Sequence, residues 1–129
     1  MKQMSFQRIR IDDALLPAVV EMFDELGEPV QVLTPDSDRP LVVHHIMGQV
    51  TLIAGGTGYV LMDDAEFAVG PGDLLVLSPR CRHSFYCPEG ELTLRHWHWP
   101  QRELHTDRTI LRDVAPFTAG SPAGEVDAR

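Results

Sequence analysis

Residues 70–83, GPGDLLVLSPRCRH, decide how this chain is read. Pro71-Gly72-Asp73 is a turn, because proline presets φ and glycine supplies positive φ at no steric cost. The apolar run 74–77 is too short for a helix, and Ser78-Pro79 closes it with a second turn, so it reads as a buried strand. His83 follows eleven residues after Gly72. The same punctuation recurs in both directions. Strands are predicted over 30–33, 41–46, 50–54, 58–62, 66–69, 73–77, 83–87 and 92–99, with turn residues such as Gly55-Gly56, Pro71-Gly72 and Pro88-Glu89-Gly90 between them. Eight short strands with turns about every 8–12 residues predict an all-β sandwich or closed barrel.

A first strand is predicted over 6–11, followed by the one helix the pattern supports. Pro17 suits its first turn and Gly27 its C-terminal stop, while Leu16, Val20, Phe23 and Leu26 form one apolar stripe. Glu21, Asp24 and Glu25 read as its solvated face, and the helix is expected to pack outside the barrel. A length of 129 residues suits one domain over 1–114 with its barrel core over 28–100. Residues 115–129, poor in large apolar side chains, are expected to form a loose tail.

The formal charge of −8 argues against binding phosphate backbones or anionic lipid, and no Lys/Arg stripe or helix-turn-helix offsets it. No direct nucleic-acid partner and no membrane association are expected. Cys81 and Cys87 form no CxxC pair and read as reduced thiols of a cytoplasmic protein, and the N-terminus lacks an apolar leader. Gly55, Gly56 and Gly58 precede neither a helix nor a Lys-Ser/Thr, so they indicate a tight turn and no nucleotide cofactor.

The order of these parts resembles the two motifs of the cupin superfamily, double-stranded β-helix (jelly-roll) barrels that hold a metal or ligand inside. The family's first motif is G-x5-H-x-H-x3-4-E-x6-G. Gly56 matches its closing glycine, Gln49 stands where the metal-binding glutamate belongs, and His45 falls on the second histidine with three residues between. Val43 takes the first histidine's place. His44 would then point to the opposite face of a regular strand. In the second motif, G-x5-P-x-G-x2-H-x3-N, Gly72 and His83 are correctly spaced, Pro79 is one place late, Arg80 replaces the inner glycine and Cys87 the asparagine. Together with His96-Trp97-His98-Trp99, this segment looks most like the ligand-binding sensor domains of AraC-type transcription factors, without their DNA-binding half.

Strand alternation adds candidates of its own. His96 and His98 share a face with Leu92 and Leu94, so this face is read as inward, beside His83. Imidazoles gathered in a cavity must hydrogen-bond, pair or bind a metal to offset desolvation. The chain is therefore expected to hold His45, His83 and His98 as ligands of a divalent transition metal (Zn, Fe, Mn, Ni or Cu), with Gln49, His96 and Trp97 contacting a bound molecule. The alternative left open is that these histidines are satisfied core residues and the tryptophans outer packing. His105 and Arg95 read as solvated or exterior.

The resemblance implies a small-molecule-binding barrel similar to a stand-alone sensor domain. The alternative is a metal-dependent cupin enzyme, a dioxygenase, isomerase, decarboxylase or cyclase, acting on a small polar or aromatic substrate. A homodimer is expected through the first strand's open edge and the aromatic face of Trp97 and Trp99.

Overall fold

The computed structural model describes residues 6–38, 40–63, 65–99 and 108–113, the last four of these by backbone only. Two antiparallel five-stranded sheets face each other as a jelly-roll barrel. The first is ordered β1 (Phe6–Arg10), β7 (Asp73–Leu77), β4 (Gly48–Gly56), β9 (Leu92–Trp99) and β2 (Gln31–Leu33). The second is ordered β10 (Arg108–Asp113), β3 (Pro40–His44), β8 (His83–Tyr86), β5 (Gly58–Met62) and β6 (Ala65–Val69). The all-β fold and the one helix among the described residues are those expected from the sequence. Strand β10 was not expected: its segment, RTILRD, lies beyond the motif-bearing region and is recruited by pairing with β3, Arg108 opposite His44. The anticipated tail over 115–129 and His105 lie outside the described residues.

The turn at residues 70–73 does more than reverse the chain. The Asp73 carboxylate accepts the Gly70 amide at 2.8 Å and the Arg8 guanidinium at 3.1 Å, while the Ile11 amide donates to the Gly72 carbonyl at 2.7 Å. Strand β1 is thereby fastened to β7 within its own sheet, Phe6 opposite Leu77 through Arg10 opposite Asp73. Gly72 has φ of 94°, and a Cβ there would meet the Ile11 carbonyl at 2.9 Å. Gly56, at φ of 75°, is tighter still, since its Cβ would lie 1.8 Å from the Glu91 carbonyl. Only glycine fits either position.

Helix α1 (Leu16–Leu26) has Pro17 in its first turn and ends at Gly27 in the left-handed conformation. It buries Phe23 and packs outside the barrel against β9 and β4. Its polar face is not wholly solvated as expected. Asp24 pairs at 2.6 Å with Arg95, an exterior-facing β9 residue that the helix buries to 6 % exposure.

Between the sheets the inner faces divide along the barrel. Ile53 on β4, Val60 and Met62 on β5, Leu75 on β7, and Leu92 and Leu94 on β9 form a fully buried apolar half, with Cys81 and Cys87 packed into it and no disulfide formed. The other half is polar.

Candidate functional site

The polar half opens into a cavity of about 470 Å³. Each wall is built by strand alternation. On β4, Gln49 and Thr51 share the inner face with Ile53. On β9, His98 and His96 share it with Leu94, and the register sets Gln49 opposite His98 and Thr51 opposite His96. On β3, Val42 and His44 face inward, Val42 opposite His83 of β8. Residues 28–33, which run from the end of α1 into edge strand β2, form one lip. Phe85, Pro40, Asp38 and Arg108 complete much of the remainder.

His83 is presented by the loop that follows β7. Arg80 adopts φ of 71° where the family motif has glycine, and its amide donates to the His44 carbonyl at 2.7 Å. The left-handed conformation thus persists without glycine, held by this hydrogen bond. The Arg82 carbonyl accepts the Asp63 amide at 2.7 Å, and the Asp63 carboxylate accepts the Arg82 amide at 3.0 Å. His83 Nδ1 donates to the Cys81 carbonyl at 3.0 Å, which fixes the tautomer and makes Nε2 an acceptor.

A continuous relay crosses the cavity wall. Glu28 receives both the backbone N–H of His98 at 2.7 Å and its Nδ1 at 2.8 Å. His98 Nε2 lies 3.1 Å from Gln49 Oε1, so both ring nitrogens have protein partners. The Gln49 amide then donates to Thr51 Oγ1 at 2.7 Å and lies 3.2 Å from His96 Nδ1. Thr51 Oγ1 donates to His96 Nδ1 at 2.7 Å, and His96 Nε2 donates to Gln31 Oε1 at 2.6 Å. The His44 ring packs against those of His98 and His83, with centroids 4.8 and 5.4 Å apart. Burial, with a smaller contribution from the neighbouring His98, lowers the pKa of His83 to about 4 and that of His96 to about 3. Both rings are neutral at pH 7.

Of the residues singled out by sequence, Gln49, His83, His96 and His98 line this cavity. His45 does not: it is exposed and bonds to Thr109 Oγ1 at 2.6 Å, while His44 takes the inward position. The correction has a simple cause. The turn between β3 and β4 places four residues, not three, between the inward histidine and Gln49, a spacing the motif also allows. No bulge is needed. Trp97 is likewise not a cavity residue. It pairs with Val50 in regular register between His96 and His98, so it faces the barrel exterior, and the only irregularity in the β4–β9 pairing lies further along, between Ile53 and Gly55. Glu28, Thr51 and Gln31 carry no motif and were missed. Their roles arise from packing of the post-helix segment against β9 and from the β4–β9 register.

His96, His98 and Gln49 are not disposed as metal ligands. His96 and His98 each commit both nitrogens to protein partners, and the position of the carboxylate ligand holds a neutral amide whose two ends are also engaged. Among the described residues no three His, Cys, Asp or Glu side chains are disposed to share an ion.

Comparisons with known proteins agree on the fold. A 3,4-ketoisomerase, QdtA, from Thermoanaerobacterium thermosaccharolyticum, a double mutant in complex with TDP, is 17 % identical, with a TM-score of 0.56 over 84 % of this chain and 88 % of that one. A 3,4-ketoisomerase from Helicobacter canadensis is 11 % identical, at 0.55 over 83 % and 91 %. A DUF861 family protein from Thermotoga maritima is 13 % identical, at 0.51 over 71 % and 97 %. At these identities the likeness concerns architecture alone. No curated protein sequence matches the chain. The model of the AraC-like ligand binding domain, however, matches residues 35–118, which contain the inward histidines and the second cupin motif. On that match and the barrel that bears it, the chain belongs to the cupin-type family of AraC-like ligand-binding domains.

Proposed function

We propose that this protein is a small-molecule-binding cupin whose cavity recognises its ligand through imidazole and amide groups, without a metal ion. One observation carries the reading: the ring nitrogens of His96 and His98 are consumed by the Glu28–His98–Gln49–Thr51–His96–Gln31 relay. A relay of this kind holds recognition groups rigid before the ligand arrives, which lowers the entropic cost of binding. It supplies no open coordination position for Lewis-acid chemistry.

The test is elemental analysis of untagged protein together with a small-molecule thermal-shift screen. The reading expects metal well below stoichiometric and at least one compound that raises the melting temperature. One equivalent of Zn, Fe, Mn, Ni or Cu, lost in His83→Ala, would overturn it in favour of the metalloenzyme.

The same reading retains a homodimer. Trp99 is 64 % exposed on the exterior of β9, and β1 is an edge strand of that sheet. Light scattering at micromolar concentration checks this, and a 14.4 kDa monomer would count against it. No helix among the described residues is long and apolar enough to cross a membrane.

A further inference from the structure

We propose that the cavity's ligand is an uncharged hydroxy-aromatic molecule whose hydroxyl donates to His83 Nε2. This rests on the cavity-binding reading above and adds the ligand's chemistry. The argument is an account of polar valences. In the relay, His96 and His98 have each ring nitrogen paired, and Gln49 has both ends of its amide paired. His83 differs. Its Nδ1–H is held by the Cys81 carbonyl, and its Nε2, a bare acceptor, is left to the cavity. A hydrogen-bond donor on the ligand is what this atom lacks.

The walls around that acceptor are not those of a polyol site. The His83 ring lies 6.1 Å from that of Phe85, which lies 5.9 Å from that of His96, and His44 stands 5.4 Å from His83. Val42 and Leu33 add aliphatic surface to the lining. Besides His83 Nε2, Ser84 Oγ is buried in the lining without a hydrogen-bond partner, but a sugar would bring more hydroxyls than these few groups pair, and desolvating the rest would go uncompensated. An aromatic body suits ring edges and faces at these separations. Charge narrows the class further. His83 and His96 are neutral, the lining carries Glu28 and Asp38 against Arg108, and the chain bears a formal −8, so nothing here favours an anion.

The experiment titrates the intact chain with 4-methylphenol, toluene, 4-methylbenzoate, glucose and zinc chloride. Binding is read by calorimetry and by the ¹⁵N resonances of the histidine rings. The proposal expects 4-methylphenol to bind and to shift His83 Nε2 most. Toluene should bind about five- to tenfold more weakly, the worth of one hydrogen bond, and 4-methylbenzoate and glucose weaker still. In His83→Phe the preference for 4-methylphenol over toluene should vanish. Should that variant not fold, the wild-type preference and the Nε2 shift decide alone. Equal affinity for 4-methylphenol and toluene would overturn the proposal. Glucose moving the ring signals when 4-methylphenol does not would overturn this ligand class but leave the binding cavity standing. If only added zinc moved them, the binding reading would fall as well.

Discussion

The two halves of the barrel interior are built from the same strands and have opposite characters. On β9 the inner face runs Leu92, Leu94, His96, His98, and on antiparallel β4 it runs Gln49, Thr51, Ile53, so the polar positions of one strand meet those of the other. β8 makes the same change from His83 to Phe85. The apolar half holds the sheets together through burial alone, which is non-directional. In the polar half each group depends on a particular partner, because an unmatched donor or acceptor there costs more than a matched one contributes. One half therefore tolerates changes of shape poorly, and the other tolerates changes of hydrogen-bonding pattern poorly.

The largest expected difference comes from truncation of the apolar half. Leu94→Ala should lower unfolding free energy by about 2–5 kcal/mol, the usual range for a fully buried leucine. In urea denaturation the midpoint should fall while the slope is kept. A loss below about 1 kcal/mol would mean that this half is not the stabilising core.

Acid comes next, and it acts on the polar half. His83 and His96 are neutral in the folded state with pKa values near 4 and 3, against 6.5 when unfolded. Between these values the unfolded chain binds more protons, so stability falls as pH drops below about 6.5. The fall flattens only near the folded values. His83 alone accounts for something on the order of 3 kcal/mol across that window. His83→Phe should make the acid limb of a pH–stability profile shallower, whereas Leu94→Ala should shift the whole profile down without changing its slope. An unchanged acid limb in His83→Phe would show that His83 is not held neutral by burial.

Gln49→Leu tests the relay at nearly constant volume. It leaves His98 Nε2 and Thr51 Oγ1 without their amide partner and should cost about 1–3 kcal/mol. A neutral result would mean that the relay contributes no stability. His45→Ala should have the smallest effect, within about 0.5 kcal/mol, as for other exposed positions. His45 and His44 are adjacent in sequence, so the contrast with His44→Ala, measured by the same denaturation and by ligand affinity, isolates the face of β3 on which a histidine sits.

The sequence by itself determined the barrel, its helix and much of its polar wall. Turn residues such as Gly72 and Gly56 occupy backbone positions that no other residue fits, and alternation on the HWHW strand sends His96 and His98 to one side and Trp97 to the other. Strand alternation and the positive φ of turn glycines are local rules that can be read from neighbouring residues. Tertiary structure alone decided the rest. Whether His44 or His45 faces inward depends on the length of one turn, since a shift of a single residue reverses the faces of a strand. Glu28 and Gln31 reach the cavity only because α1 packs outside β9 and returns the chain along its edge, and Arg95 is buried only because that same helix covers it. What each histidine nitrogen touches is set across strands distant in sequence, and spacing along one strand carries no record of such contacts.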